Sequence, residues 1–585
     1  MKGYLKTLKR CFAHTKSVSI WLWLALLMTV LSTIGELVVP VLTGLCIDCI
    51  IGPGQVDFSG LIRYGMILVG VVGVTTLVTW LSTYLTSLYM YKSVEIIRSK
   101  FFAKIQSVPI RYVDNNNHGD LLSRIINDTE TMADGFLEGI SMIFNGVITI
   151  VGTFIFMISL NITITLIIVL LTPLSLFIAL YIAKKSNKLF RAHAKTRGAM
   201  TGYLEEIIGG QRIVKAFNHE EDSIEAFEVI NEKNRKVAEN AEFYASITNP
   251  LTRFLNGVVY IAVGLTGSLL ALNGKVTVGR ISTFLSYSNS FGKPFNELSS
   301  EIATIQAAFA SAERIFQVLD AKDEPSDIEL PELGYVDGSV RVENAYFSYV
   351  PKQKLLQNLN LDIKPGQKIA IVGPTGCGKT TFINLLMRFY DLTDGTIYLG
   401  DTDITKIKRS SLRNQYGMVL QESWMFNSSI KDNIAYGKPN ASMEDIISAA
   451  KLAGAHDFIE KLPDGYNTII TEGGNNISQG QKQLLCIARI MLIKPPMLIL
   501  DEATSNIDTR TEIKIQQAFD LMMEGRTSFI VAHRLSTIKN ADLILVMNKG
   551  NIIEKGTHNE LMKKGGFYAN LYNSQFANTI AEENS

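Results

Sequence analysis

The stretch Lys368–Leu386 reads KIAIVGPTGCGKTTFINLL. An apolar, strand-like run leads into Gly373-Pro374-Thr375-Gly376-Cys377-Gly378-Lys379-Thr380, and a helix-like run follows from Thr381. This is the pattern GxxxxGK[ST] between a strand and a helix, the context that a phosphate-binding loop requires. Glycine lets backbone N–H groups wrap phosphate oxygens, and the helix N-terminus adds its partial positive charge. Lys379 is expected to reach the β- and γ-phosphates of a bound nucleotide, and Thr380 to hold Mg²⁺ through its hydroxyl. The other loop residues and Thr381 complete the expected binding shell. Cys377 reads as a bystander whose thiol would make the loop sensitive to alkylation.

Downstream, Met497–Leu500 (MLIL) ends in Asp501-Glu502. Four apolar residues followed by acids suit a buried parallel strand whose C-terminal end meets a ligand. Asp501 is placed to bind Mg²⁺, directly or through water. Glu502 is placed to polarise an attacking water as general base.

Upstream the composition changes. Over 585 residues, 47% are hydrophobic and only 19% charged, against about 25% charged in soluble domains. Mean hydropathy is +0.18. The long apolar runs lie before residue 315. With 56 basic and 55 acidic residues, the net charge of +1 gives no electrostatic case for a nucleic-acid partner. A membrane span needs about 20 apolar residues. Six candidates are Ile20–Cys46, Leu61–Ser87, Leu137–Leu160, Thr163–Ala183, Ile247–Leu272 and Val278–Phe291, the last weakened by Lys293, Pro294 and Glu297. Met1–Ser17 carries five basic residues, Tyr91–Asp134 six and Lys184–Arg197 six, whereas the alternate connections hold only Lys275. By the positive-inside rule the N-terminus and the soluble half are cytoplasmic. The apolar run after the N-terminus is too long for a cleavable signal. Five cysteines imply no disulfide framework. Cys46 and Cys49 read as small packing residues.

The two long cytoplasmic connections are helical in pattern, as in SVEIIRSKFFAKIQSV. The spans are therefore expected to continue about 30 Å past the lipid. Turn residues break them at Asp114–Gly119 and at Gly209–Gly210. The domain reading is a membrane domain at 1–316, a polar linker at 317–338 and a nucleotide-binding domain at 339–585. The expected fold is a membrane α-helical bundle of six transmembrane helices with long cytoplasmic extensions, followed by an α/β P-loop domain that resembles an ATP-binding cassette.

At these residues the chain resembles an ABC exporter half-transporter, over nearly its whole length. The resemblance implies ATP and Mg²⁺ as ligands. It further implies that Tyr349 (AYFSYV) stacks on adenine, and that Gln421 (VLQESWMF) senses Mg²⁺ and the attacking water. His533 (VAHRLS) would contact the γ-phosphate, and Ser505-Asn506-Ile507-Asp508 resembles the D-loop. Thr471-Glu472-Gly473 resembles the exporter-type stretch near the coupling tips.

The family signature reads Leu-Ser-Gly-Gly-Gln; here it is Ile477-Ser478-Gln479-Gly480-Gln481. It opens a helix whose N-terminus would face the γ-phosphate held by a second half-transporter. Ser478, Gly480 and Gln481 still offer polar contacts. Gln479 adds a side chain and removes the φ freedom that glycine allows. An altered signature beside Glu502 resembles one half of the heterodimeric multidrug exporters, with one hydrolysing and one degenerate ATP site. A homodimer that tolerates Gln479 is the alternative, as is an ATP-gated channel or regulator on the same scaffold. Expected cargoes are amphipathic drugs, lipids or peptides, and the expected location is a bacterial plasma membrane. Within the spans, Glu36 is read as a cargo or proton contact, or else as paired or near the outer surface. Arg253, Asn256, Ser286, Ser288 and Asn289 are read as cavity-lining or as helix-to-helix hydrogen-bonding groups.

Overall fold

The computed structural model of the chain describes residues 2–52, 54–334, 336–350, 355–420, 423–471, 474, 476–501, 509–531 and 538–574. Tertiary contacts divide the protein into two compact units. One comprises residues 1–107 and 116–321, the other residues 108–115 and 322–585.

In chain order the first unit contains α1 (Lys2–His14), α2 (Ser19–Asp48), a small hairpin of β1 (Ile50–Gly52) and β2 (Gln55–Val56), and α3 (Phe58–Ser107). The short helix α4 (Ile110–Asp114) follows and belongs to the second unit. The first unit resumes with α5 (His118–Ser123), α6 (Thr129–Leu160), α7 (Ile162–Gly209), α8 (Gln211–Phe217), α9 (Glu220–Leu272) and α10 (Val278–Leu319). Six of these helices run from 30 to 53 residues. At 1.5 Å per residue, α3 is about 75 Å long, far more than a bilayer requires.

Helix α3 exposes an apolar face over its first half. Val69, Leu77 and Trp80 of α3 are 73%, 67% and 66% exposed, a surface that only lipid would cover well. By length and composition, four helical stretches among the described residues suffice to cross a membrane: Lys16–Asp48, Phe58–Ser107, His118–Leu160 and Arg253–Leu272. In α7 the apolar stretch among the described residues is Ile162–Thr172. The expected sixth span lies in α10, which carries the ion pair Lys293–Glu297 at 3.6 Å. Glu36 sits exposed in α2.

Small side chains and capping groups hold α2 against α10. A Cβ on Gly279 would fall 1.9 Å from the Gly44 carbonyl oxygen, so the two backbones touch. Asp48 accepts from the Gly279 N–H and the Thr277 hydroxyl, both at 2.7 Å, at the start of α10. Pro40 removes one amide donor from α2. Nearby, Tyr287 and Thr283 of α10 donate to the Leu37 and Pro40 carbonyls at 2.6 and 3.0 Å.

Between α5 and α6, residues Arg124–Asp128 form one π-helical turn. Arg98 of α3 donates to the Ile125 and Ile126 carbonyls of this turn at 3.1 and 3.0 Å. From α10, Arg314 Nε and Ser311 Oγ donate to the Asp128 carboxylate at 2.7 and 3.0 Å. Burial pushes the Asp128 carboxyl up, but the bonds from Arg314 and Ser311 outweigh it and hold it below the usual range. A depressed carboxyl stabilises the fold above its unfolded value, near pH 4, and loses that contribution as pH falls through the folded value. Arg314 is 44% exposed while Asp128 is 9% exposed, so the pair is half-screened. Asp128→Asn should therefore cost about 1–2 kcal/mol at pH 7. In thermal unfolding of the detergent-solubilised protein, the deficit should shrink below about pH 4. A deficit independent of pH would show that the charge is not what matters.

The breaks in the cytoplasmic connections hold more structure than turn residues imply. The first begins at Val108, since α3 ends at Ser107 and Pro109 caps α4. The second falls at Gly209–Gly210 as expected, and α8 then ends on Asn218 in the left-handed region at φ 56°. Helix α10 runs to Leu319, three residues into the stretch read as linker.

The second unit is a two-sheet α/β domain. Its antiparallel sheet has the order β4-β3-β6-β7: β3 (Val340–Phe347), β4 (Leu356–Ile363), β6 (Asp394–Leu399) and β7 (Thr402–Asp403). The larger sheet has the order β12-β11-β5-β10-β9-β8. It comprises β5 (Lys368–Val372), β8 (Tyr416–Val419), β9 (Met497–Asp501), β10 (Thr527–Val531), β11 (Leu543–Asn548) and β12 (Asn551–Gly556). All neighbours in it are parallel except β12, which pairs antiparallel with β11. Every residue of β10 is buried, and so are the four apolar residues of β9, as expected where both faces of a parallel sheet are covered.

Candidate nucleotide site

The loop after β5 joins that strand to α11 (Lys379–Leu386). Gly376 and Gly378 take φ of +78° and +104°, a region costly for any residue with a side chain. A Cβ on Gly373 would lie 2.2 Å from the Met547 carbonyl oxygen, so the loop is pressed against β11. The Lys379 ammonium donates to the Gly373 and Pro374 carbonyls at 2.8 and 3.2 Å. It is thus folded over the loop at the start of α11, where backbone N–H groups and a cation converge on one spot.

A cavity of about 480 Å³ opens here, walled by Tyr349, Leu355, Thr375, Lys379, Thr380 and Asp501, among others. Parallel register sets its far side. Val531 pairs with Ile371 on one side and with Asp501 on the other. Asp501 therefore ends its strand two positions across from the loop strand, about 10 Å away. Thr380 and Asp501 share the cavity, a hydroxyl and a carboxylate suited to a hard cation beside phosphate. Thr381 is buried and accepts from the Tyr349 hydroxyl at 3.2 Å. Tyr349 is 38% exposed and lies at the cavity wall.

Cys377 differs from its expected role. It is 3% exposed, and a Cβ on Gly373 would lie 2.8 Å from its sulfur. The thiol fills the space behind the loop instead of facing the cavity. Its carbonyl accepts from the Gly550 N–H at 2.9 Å, a support from the β11–β12 turn that no spacing in the sequence announces.

At the altered signature, helix Gln479–Ile493 begins with a capping box. The Gln481 side chain accepts from the Ser478 N–H at 2.9 Å, and the Ser478 hydroxyl accepts from the Gln481 N–H at 3.3 Å. Gln479 occupies the first helical position, and its φ is not positive. The backbone at this position is one that any residue adopts, and the φ freedom glycine would allow is not used. What Gln479 brings is bulk, since it is exposed while Gly480 is buried. Gln421, Glu472, Gly473, Glu502, Ser505, Asn506, Ile507, Asp508 and His533 lie outside the described residues.

Residues 22–295 match the family model of the ABC transporter transmembrane region, and residues 356–505 match that of the ABC transporter. The chain is 40% identical over 579 residues to the uncharacterized ABC transporter ATP-binding protein YfiC of Bacillus subtilis (strain 168), covering 98% of this chain and 94% of that one. This protein belongs to the ABC transporters. The transporter is also 39% identical over 517 residues to a fatty acid ABC transporter ATP-binding/permease protein of Mycobacterium bovis, covering 88% of this chain and 82% of that one. Among solved structures it is similar to a bacterial Atm1-family ABC exporter with ATP bound. That match has a TM-score of 0.75 and 26% identity, and covers 95% of this chain and 98% of that one. It is an ABC exporter whose ATPase domain uses ATP with Mg²⁺. The glycine cradle, Lys379, Thr380 and Asp501 fit that pair of ligands.

Proposed function

We propose that this transporter is one half of a heterodimeric bacterial exporter, which moves amphipathic molecules out of the cytoplasm or the inner leaflet by alternating access. The single observation that carries the pairing is the exposed Gln479 on the first turn of a well-capped helix. That helix N-terminus would face the nucleotide held by a second subunit, and a glutamine there crowds the approaching γ-phosphate. On this reading the chain supplies one intact site. Lys379 holds the β- and γ-phosphates, Thr380, Gln421 and Asp501 serve Mg²⁺, Glu502 activates water, His533 contacts the γ-phosphate and Tyr349 stacks on adenine. The likeness to a fatty acid transporter supports a lipid-like cargo. The basic cytoplasmic connections support an inward-facing N-terminus and ATPase domain.

The test is ATP hydrolysis by the purified chain, alone and with a half-transporter encoded beside it that has an intact signature and lacks the catalytic glutamate. Activity should require that partner and should vanish in Glu502→Gln. Strong, cooperative hydrolysis by the chain alone would establish a homodimer with two equivalent sites. Cargo flux that persists when hydrolysis is blocked would point to a channel.

A further inference from the structure

Helix α4 packs in the second unit, and its contacts converge on Tyr349. The Arg111 guanidinium donates to the carbonyls of Ser348 and Tyr349, both at 3.2 Å. Its head also lies 5.8 Å from the Tyr390 ring centroid. The Tyr390 hydroxyl donates to the Asp114 carboxylate at the other end of α4. The Tyr390 ring meets the Tyr349 ring edge-on, with centroids 5.0 Å apart and planes at 87°. Phe347 closes the group, 4.8 Å from Tyr349 and 5.8 Å from Tyr390, also edge-on. At the far end of the side chain, the Tyr349 hydroxyl is tied to Thr381.

Tyr349 is therefore fixed at its backbone, at its ring edge and at its hydroxyl, while the side chain remains partly open at the cavity. Two of these three restraints trace back to α4. An aromatic ring binds a purine well only when its face is held at a set angle and height, since stacking falls off steeply with misalignment. We propose that Arg111, Asp114 and Tyr390 are positioning residues for the nucleotide base, with α4 setting the aim of Tyr349. Burial and the neighbouring Asp114 both push the Tyr390 hydroxyl up from its ordinary value, so it stays a donor to Asp114 throughout the physiological range.

The inference rests on the assignment of Tyr349 to the adenine. It is tested on the full chain with its partner, in a Glu502→Gln background to prevent turnover. Competition against labelled ATP compares ATP with inorganic tripolyphosphate, which has no base. Arg111→Ala and Tyr390→Phe should each weaken ATP about fivefold and leave tripolyphosphate unchanged. In a Tyr349→Ala background neither should have a further effect. Asp114→Asn, which keeps an acceptor for Tyr390, should bind ATP nearly as the parent does. Equal weakening of ATP and tripolyphosphate would overturn the proposal, as would losses that persist in full without Tyr349. If Tyr349→Ala weakens ATP while Arg111→Ala and Tyr390→Phe do not, the positioning role fails and the stacking assignment stands. If Tyr349→Ala has no effect on ATP, the stacking assignment fails and the positioning role falls with it.

Discussion

Lys379→Met should lower ATP hydrolysis by about 100- to 1,000-fold with little change in thermal stability. The size follows from what the ammonium does: a single preorganised donor on developing phosphoryl charge is worth about that much. The small stability cost follows from its contacts. Among the described residues, Lys379 donates only to the Gly373 and Pro374 carbonyls of its own loop. Methionine keeps the length and apolar stem while removing the charge. The check is a pair of measurements on one sample, steady-state phosphate release and the unfolding temperature. If Lys379→Met unfolds as easily as a core variant, the residue is structural and the cradle has been misassigned. If turnover is unchanged, the loop does not hold the reacting phosphate.

The second large effect concerns fold more than charge. Lys549 and Gly550 form the two-residue turn between β11 and β12, with φ of 46° and 81° and Asn548 paired to Asn551. Positive φ at both central residues is the signature of the hairpin turn whose twist matches its strands. A Cβ on Gly550 would fall 1.3 Å from the Leu355 carbonyl oxygen. That is a backbone atom immediately before β4, not the end of a side chain that could rotate away. Gly550 also donates to Cys377 inside the phosphate loop. Gly550→Ala should thus cost at least about 3 kcal/mol through clash and backbone strain. For a domain of this size the unfolding transition would drop by about 6–12 °C, and ATP binding would weaken with it. Gly525→Ala is the control, because Gly525 also has positive φ, at +68°, but nothing lies within 4 Å of its added Cβ. It should cost only about 1 kcal/mol. Equal unfolding temperatures for the two variants would mean that the turn yields and the clash is relieved.

Much of this transporter was legible in the order of its residues, for reasons of locality. The phosphate loop occupies eight consecutive positions between a strand and a helix, so strand, turn and helix signals sit side by side. The long helices were legible because apolar runs of bilayer length persist over 20 residues or more, and their cytoplasmic extensions because the helical period continues past them. The sixth helix was the hardest to read, as Lys293 and Glu297 interrupt its apolar run.

Other features depend on residues far apart in sequence, and only packing brings those together. Asp501 lies 122 positions after Lys379, and it reaches the same cavity because β10 inserts between their two strands. No period announces that insertion. The π-helical turn before α6 was invisible, since the donors that steady it come from Arg98 on α3 and Arg314 on α10. Gln479 gives up the φ freedom of the glycine in the family signature, yet its helical backbone makes no use of that freedom, and what it adds is bulk. The links from α4 to Tyr349 lay beyond sequence for the same reason. A hydrogen bond between Arg111 and residue 349 is a fact of three-dimensional proximity across more than 200 residues, and local propensity carries no information at that range. The residue sequence by itself determined the local elements and their chemistry, while the tertiary structure decided which of them share a site, because long-range pairing depends on how whole strands and helices pack.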